Sequence, residues 1–210
     1  MIIDPKHGRR SIRLKGYDYS LVGGYFITTC TMKRNHLFGD IMNGEMRLNE
    51  YGETVQDVWR GLPMHHPHVV LDAFVIMPNH VHGIIVLSND IAGNVGAGLK
   101  PARTNDHANP IVRAGLKPAP TKPDPTNHGL PEIVRAFKTF SARRINERRQ
   151  TAGVGVWQRN YYEHIIRNDE SLNQIRQYIA DNPLQWEFDR ENRERKPGRK
   201  PVPQNEPWRI

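Results

Sequence analysis

Cysteine is almost absent from this chain: Cys30 is the only one in 210 residues. An intramolecular disulfide is therefore excluded, and so is any metal site built from several thiolates. Long apolar runs are lacking too, and the opening Met1-Ile2-Ile3-Asp4-Pro5-Lys6 has no apolar signal core. The sequence predicts neither secretion nor a membrane span, and the expected location is the cytoplasm, at the nucleoid. Acidic residues are too few to balance the basic ones. Against 30 Lys and Arg stand 22 Asp and Glu, for a formal net charge of +8 and a pI of about 9.8. That surplus favours a polyanionic partner, with nucleic acid first. Aromatic residues make up only 8%, but with 37% hydrophobic residues a chain of this length can bury one domain plus appendages.

The patterning gives an order of elements. Tyr25 to Thr31 is rich in β-branched and aromatic residues and reads as a strand. Asn43-Gly44, between Leu37–Ile41 and Glu45–Leu48, signals a hairpin. Val55, Val58, Trp59 and Leu62 have helical spacing within Glu53 to Leu62. Val69 to Met77 and Val81 to Leu87 read as strands joined by a tight turn at Pro78-Asn79. Leu130, Ile133, Val134 and Phe137 form a helical stripe, Val156 to Ile166 reads as a strand, and a last helix starts at Asp169 or Ser171 and ends at Asn182-Pro183. Strand, hairpin, helix, two strands, helix, strand and helix predict an α+β fold. Its expected form is a ferredoxin-like antiparallel sheet with helices on one face.

Two segments stand apart. Residues 88–128 are dominated by Gly, Pro, Asn, Ala and Lys without apolar periodicity, and read as a long disordered insertion. Within it Ala97-Gly98-Leu99-Lys100-Pro101-Ala102 recurs as Ala114-Gly115-Leu116-Lys117-Pro118-Ala119. That peptide can be encoded by GCG-GGT-TTG-AAA-CCC-GC, an inverted repeat around its central base. The insertion is therefore expected to be a translated pair of palindromic DNA elements. Residues 189–210, rich in charge and proline, read as a flexible polar tail.

His80-Val81-His82 opens an otherwise apolar strand. Alternation puts both imidazoles on one face, about 7 Å apart along the strand, where they can converge on one cation. A metal there would polarise a phosphate oxygen. On the last helix Gln174, Tyr178 and Asn182 recur every fourth residue and share a face, so a third ligand is expected from that helix. A carboxamide oxygen suits a hard cation such as Mg²⁺ or Mn²⁺. The helix after Leu130 carries Arg135, Lys138, Arg143 and Arg144, the expected contacts to phosphates.

Met77-Pro78-Asn79-His80-Val81-His82-Gly83-Ile84-Ile85 resembles the His-hydrophobe-His signature of the HUH single-tyrosine transposases, the insertion-sequence-200-like family. Ile133–Lys138, Val156–His164 and Tyr178–Pro183 resemble its REP-associated tyrosine transposase branch. The resemblance spans residues 10–188 apart from the insertion. It implies that Tyr178 is the nucleophile and that Asn182, one turn later, completes the metal site with His80 and His82. It also implies a divalent metal, Mg²⁺ or Mn²⁺, and a single-stranded or hairpin DNA partner, acted on by a monomer or homodimer through a 5′-phosphotyrosine bond. The rival expectations are a domesticated hairpin-binding protein and a metal-dependent phosphohydrolase using water.

Overall fold

The computed structural model describes Leu14, residues 16–89, residues 128–189, and Glu191, Asn192 and Glu194. Its elements are β1 (Gly23–Cys30), β2 (Gly39–Met42), β3 (Glu45–Leu48), α1 (Glu50–Arg60), α2 (Leu62–His65), β4 (Val69–Met77), β5 (His80–Leu87), α3 (Leu130–Arg148), β6 (Tyr162–Ile166) and α4 (Asp169–Asp181). Local chemistry sets most boundaries. The β2–β3 hairpin turns at Asn43 and Gly44 with φ of 54° and 77°, the left-handed pair that a two-residue turn matching strand twist requires. Asn49 caps α1 by accepting from the amides of Tyr51 and Gly52. Asn168 caps α4 through the Ser171 amide, and Asp169 and Glu170 fill its positive first turn.

The main sheet has the order β4-β5-β1-β6, with every neighbouring pair antiparallel. That is the ferredoxin-like arrangement expected from the element order. The β2–β3 hairpin is a separate two-stranded ribbon. The strand expected over 156–166 is ladder-paired only from Tyr162 to Ile166. Its first part instead buries Trp157, whose indole donates to Ser141 Oγ at 2.9 Å while the backbone makes one bridge to Thr31.

The expected layer of helices on one face is formed by α1 and α3, and α4 adds a second layer on the other. α1 and α3 pack together against Tyr25, Ile27, Val81 and Ile85, with the Trp59 and Phe137 rings 5.3 Å apart. Gly83 makes room for this layer, because a Cβ there would lie 2.5 Å from the Trp59 ring. α4 covers the opposite face, setting Leu172, Ile175 and Ile179 on Phe26, Ile84 and Ile166. The physical reason is that β1 and β5 carry apolar residues on both faces, so a single helical layer would leave Phe26 and Ile84 in water. Fully burying each such side chain is worth roughly 1.5–3 kcal/mol.

The repeated Ala-Gly-Leu-Lys-Pro-Ala segments lie outside the described residues. The two ends of that stretch are described, and they meet. Ser88 donates its amide to the His68 carbonyl at 2.8 Å, and His68 Nε2 lies 2.8 Å from the His128 carbonyl oxygen. Among the described residues no helix is long and apolar enough to cross a membrane.

Candidate active site

Alternation along β5 sends His80 and His82 to the α4 face of the sheet, with Ile84, and away from Val81 and Ile85. Both imidazoles are buried, at 0% and 3% exposure, and their Nε2 atoms are 3.0 Å apart. Asn79 orients the first ring. Its Nδ2 donates to the carbonyls of Arg34 and Glu191, so its Oδ1 must face His80 Nδ1, 2.8 Å away. An oxygen can only accept, which puts the proton on Nδ1 and leaves a lone pair on Nε2. His82 Nδ1 lies 2.8 Å from Thr28 Oγ1, its register partner on β1. A hydroxyl can donate or accept, so His82 is able to turn its own Nε2 lone pair to the same point.

α4 brings Tyr178 over this pair. Its hydroxyl is 3.3 Å from His82 Nε2, and its ring packs edge-on against Phe26. The helix is tied to the sheet by a bidentate ion pair between Arg176 and Asp72. Burial pushes the Asp72 carboxyl up, but its hydrogen bonds from Arg176 and the Ala73 amide outweigh this and hold it below its usual value.

Asp189 completes the cluster. His80, His82 and Asp189 are all buried, and each offers a ligand atom within 4.8 Å of the others. Sequence reading missed Asp189, assigning it to the flexible tail. Its carboxylate, 1% exposed, stands 3.9 Å from His80 Nε2. Asn182, the expected third ligand, is the C-cap of α4 and is 1% exposed. Neither its Oδ1 nor its Nδ2 has a hydrogen-bond partner among the described residues. A buried carboxamide left in that state costs roughly 1–3 kcal/mol. Two convergent imidazoles and a buried carboxylate fit a hard divalent cation. Gln174, the other polar residue of the stripe, is exposed and pairs with Glu170 instead.

Cys30 lies at the edge of this site and donates to Glu191 Oε2 at 3.5 Å. Burial, with the Glu191 charge behind it, pushes its thiol up to about 12, so it is no nucleophile near neutral pH.

The other tyrosines are placed differently. Tyr161 packs with the α1–α3 core and Tyr162 with the α4 core, on opposite faces of the sheet. The basic residues of α3 also lie across the sheet from the histidines. Arg135 and Lys138 line a groove of about 580 Å³ with residues 154–159 and Tyr161. Lys138 does not project freely as expected. Its Nζ donates to the carbonyls of Gln158, Arg159 and Asn160, and burial pushes its pKa down to about 8. Arg143 is exposed and pairs with Glu147, and Arg144 borders a second hollow with Arg148 and Asp57.

Comparison with known proteins returns matches of several kinds. The family described as IS200-like transposases matches residues 123–182. A Haemophilus influenzae protein of undescribed function is 42% identical over 186 residues, covering 87% of this chain and 92% of its own. A second Haemophilus influenzae protein, named "Putative REP-associated tyrosine transposase", is 25% identical over 167 residues, covering 80% of this chain and 73% of its own. A solved structure of a REP-associated tyrosine transposase bound to a REP hairpin is 17% identical, covers 82% of this chain and 73% of its own, and has a TM-score of 0.49.

Proposed function

We propose that the chain is an IS200-like transposase of the REP-associated tyrosine kind and that it nicks and rejoins hairpin-bearing single-stranded DNA through Tyr178. The observation that carries the reading is the Tyr178 hydroxyl 3.3 Å from His82 Nε2, beside His80 and Asp189, all from one chain.

The Tyr178 oxygen attacks a backbone phosphorus. A bond forms from that oxygen to phosphorus, the bond from phosphorus to the 3′ oxygen breaks, and a 3′-hydroxyl leaves. The phosphate stays esterified to the tyrosine at its 5′ side. The ester conserves the bond energy, so attack by a 3′-hydroxyl on the same phosphorus rejoins strands and frees Tyr178. Catalysis of this kind rests on positioning and on charge stabilisation. His80, His82 and Asp189, with Asn182 as a further oxygen donor, would hold Mg²⁺ or Mn²⁺, whose charge stabilises the transferring phosphoryl group. Asn79 and Thr28 hold the two imidazoles at the angle this requires.

The test is incubation with a hairpin-bearing single strand and Mn²⁺, followed by a denaturing gel. A covalent protein–DNA species and a nick are expected. His80→Ala and His82→Ala should each abolish both and leave hairpin affinity within a few-fold of the parent. Nicking without a covalent species would mean that water is the nucleophile and would sink the reading.

A further inference from the structure

We infer that Asp189, Glu191 and Asn192 form a working wall of the metal centre, held in place by a latch from Glu191 to Arg34 and Asn79. The inference deepens the proposed function and rests on the metal site described there. Sequence reading assigned these residues to a flexible tail. In the structure Asp189, Glu191 and Asn192 are all buried.

A 3-10 turn, Pro183–Phe188, follows α4 and places the Trp186 ring 6.1 Å from the His80 ring and 5.4 Å from the His36 ring. The Trp186 carbonyl accepts from the Asp189 amide at 3.1 Å and from Asn192 Nδ2 at 3.0 Å, which brings the chain back over β5. Asp189 then divides its two oxygens. Oδ1 accepts the Glu191 amide at 2.6 Å, and Oδ2 is the atom nearest His80 Nε2. The orientation of the proposed ligand is therefore set by where Glu191 sits.

Glu191 is fixed at both ends. Its side-chain Oε2 pairs with Arg34 Nε at 2.6 Å, and its carbonyl accepts from Asn79 Nδ2 at 2.7 Å. Arg34 is presented by the turn after β1, where Lys33 and Arg34 take φ of 56° and 55°. Non-glycine residues adopt that region at a cost, and two in a row need tertiary contacts to hold them. Asn79 has a double role: one end of its amide fixes the His80 tautomer and the other fixes the strap. A displacement of the strap would therefore disturb the imidazole ligand and the carboxylate ligand together. Asp189 acts as a ligand in this reading, and Arg34, Glu191 and Asn79 are positioning residues.

The experiment measures Mn²⁺ alone, by the electron-spin-resonance signal of the free ion, titrated into the full-length protein without DNA. Asp189→Asn should weaken Mn²⁺ binding by more than the roughly 10- to 100-fold typical of residues that only support a ligand. Arg34→Gln and Glu191→Gln should each weaken it several-fold. Their double variant should be no worse than either single, because both break one latch. The exchange of charges in Arg34→Glu with Glu191→Arg should recover affinity lost in Arg34→Glu, which separates the latch from loss of folding. Wild-type Mn²⁺ affinity in Asp189→Asn overturns the inference, as does a wild-type chain that binds no Mn²⁺. Faster covalent-adduct formation in Glu191→Gln would also overturn it, because the strap would then be covering the DNA path. Mn²⁺ binding that depends on Asp189, with no adduct on any hairpin substrate, would instead fell the transposase reading and leave this one standing.

Discussion

Arg176 grips Asp72 with both sides of its guanidinium fork, Nε to Oδ1 at 2.8 Å and Nη2 to Oδ2 at 2.5 Å, two residues before Tyr178. Asp72 sits where the β4–β5 register shifts between Leu71 and Phe74, so the pair joins α4 to an irregularity in the sheet. Leu172, Ile175 and Ile179 fix which face of α4 meets the sheet, through contacts that have no direction of their own. The fork supplies a direction, and the direction puts the Tyr178 hydroxyl at His82.

Asp72→Asn should slow adduct formation without changing hairpin affinity, since Arg176 is placed to orient Tyr178 and not to bind DNA. Stability should fall by an amount between the ~1 kcal/mol of exposed pairs and the roughly 3–5 kcal/mol of broken buried ones. The pH dependence has a definite sign. The folded carboxyl titrates below its unfolded value of about 3.9, so its contribution is present above that pH and is lost as pH falls through the folded value. Thermal melts of parent and variant should converge in strong acid. Parallel curves at all pH values would rule this contribution out.

Tyr178→Phe should bind hairpin DNA and Mn²⁺ yet form neither nick nor adduct. Tyr161→Phe and Tyr162→Phe should still form the adduct, with at most modest losses in activity or melting temperature, because those rings pack into separate cores on opposite faces. Peptide mapping of the trapped species checks this directly. A nucleotide on either member of the Tyr161-Tyr162 pair would overturn the assignment.

The basic residues of α3 should divide into two kinds. Arg135 is exposed on the groove rim, so Arg135→Gln should lower hairpin affinity at low salt and flatten the plot of log affinity against log salt by roughly 0.7–0.9. Lys138 is committed to three carbonyls, so Lys138→Met should lower the melting temperature and leave the salt slope unchanged. Fluorescence anisotropy over a salt series, paired with thermal melts, distinguishes the two. A salt slope that responds to Lys138 and not to Arg135 would reverse the assignment.

Replacing the stretch between Leu87 and Gly129 with a short Gly/Ser linker should leave melting temperature and adduct formation nearly unchanged, because Ser88 and His128 meet His68 through backbone groups that linker residues also carry. A fall of more than a few degrees would show that the segment contributes to packing. The DNA half of the expectation is read from the gene. Codons for the two Ala-Gly-Leu-Lys-Pro-Ala copies should form inverted repeats, and codons that cannot pair would remove the idea.

The sequence by itself determined what depends on near neighbours. Period-two alternation put His80 and His82 on one face, period-four spacing put Tyr178 and Asn182 on one stripe, and Asn43-Gly44 and Pro78-Asn79 made the turns, because these are properties of a few consecutive backbone units. Tertiary structure alone decided what comes from far along the chain. Asp189 reaches the histidines across more than a hundred residues, and no local pattern marks it apart from the charged residues around it. Gln174 and Asn182 were equal as carboxamides on a helix, until packing left one in solvent and buried the other. The same holds for the face that each helix covers: strands with apolar residues on both sides require two layers, but only the assembled sheet assigns α3 to one and α4 to the other. Charge on α3 was legible as charge, whereas the capture of Lys138 by the loop at Gln158–Asn160 follows from a contact that exists only once that helix is docked.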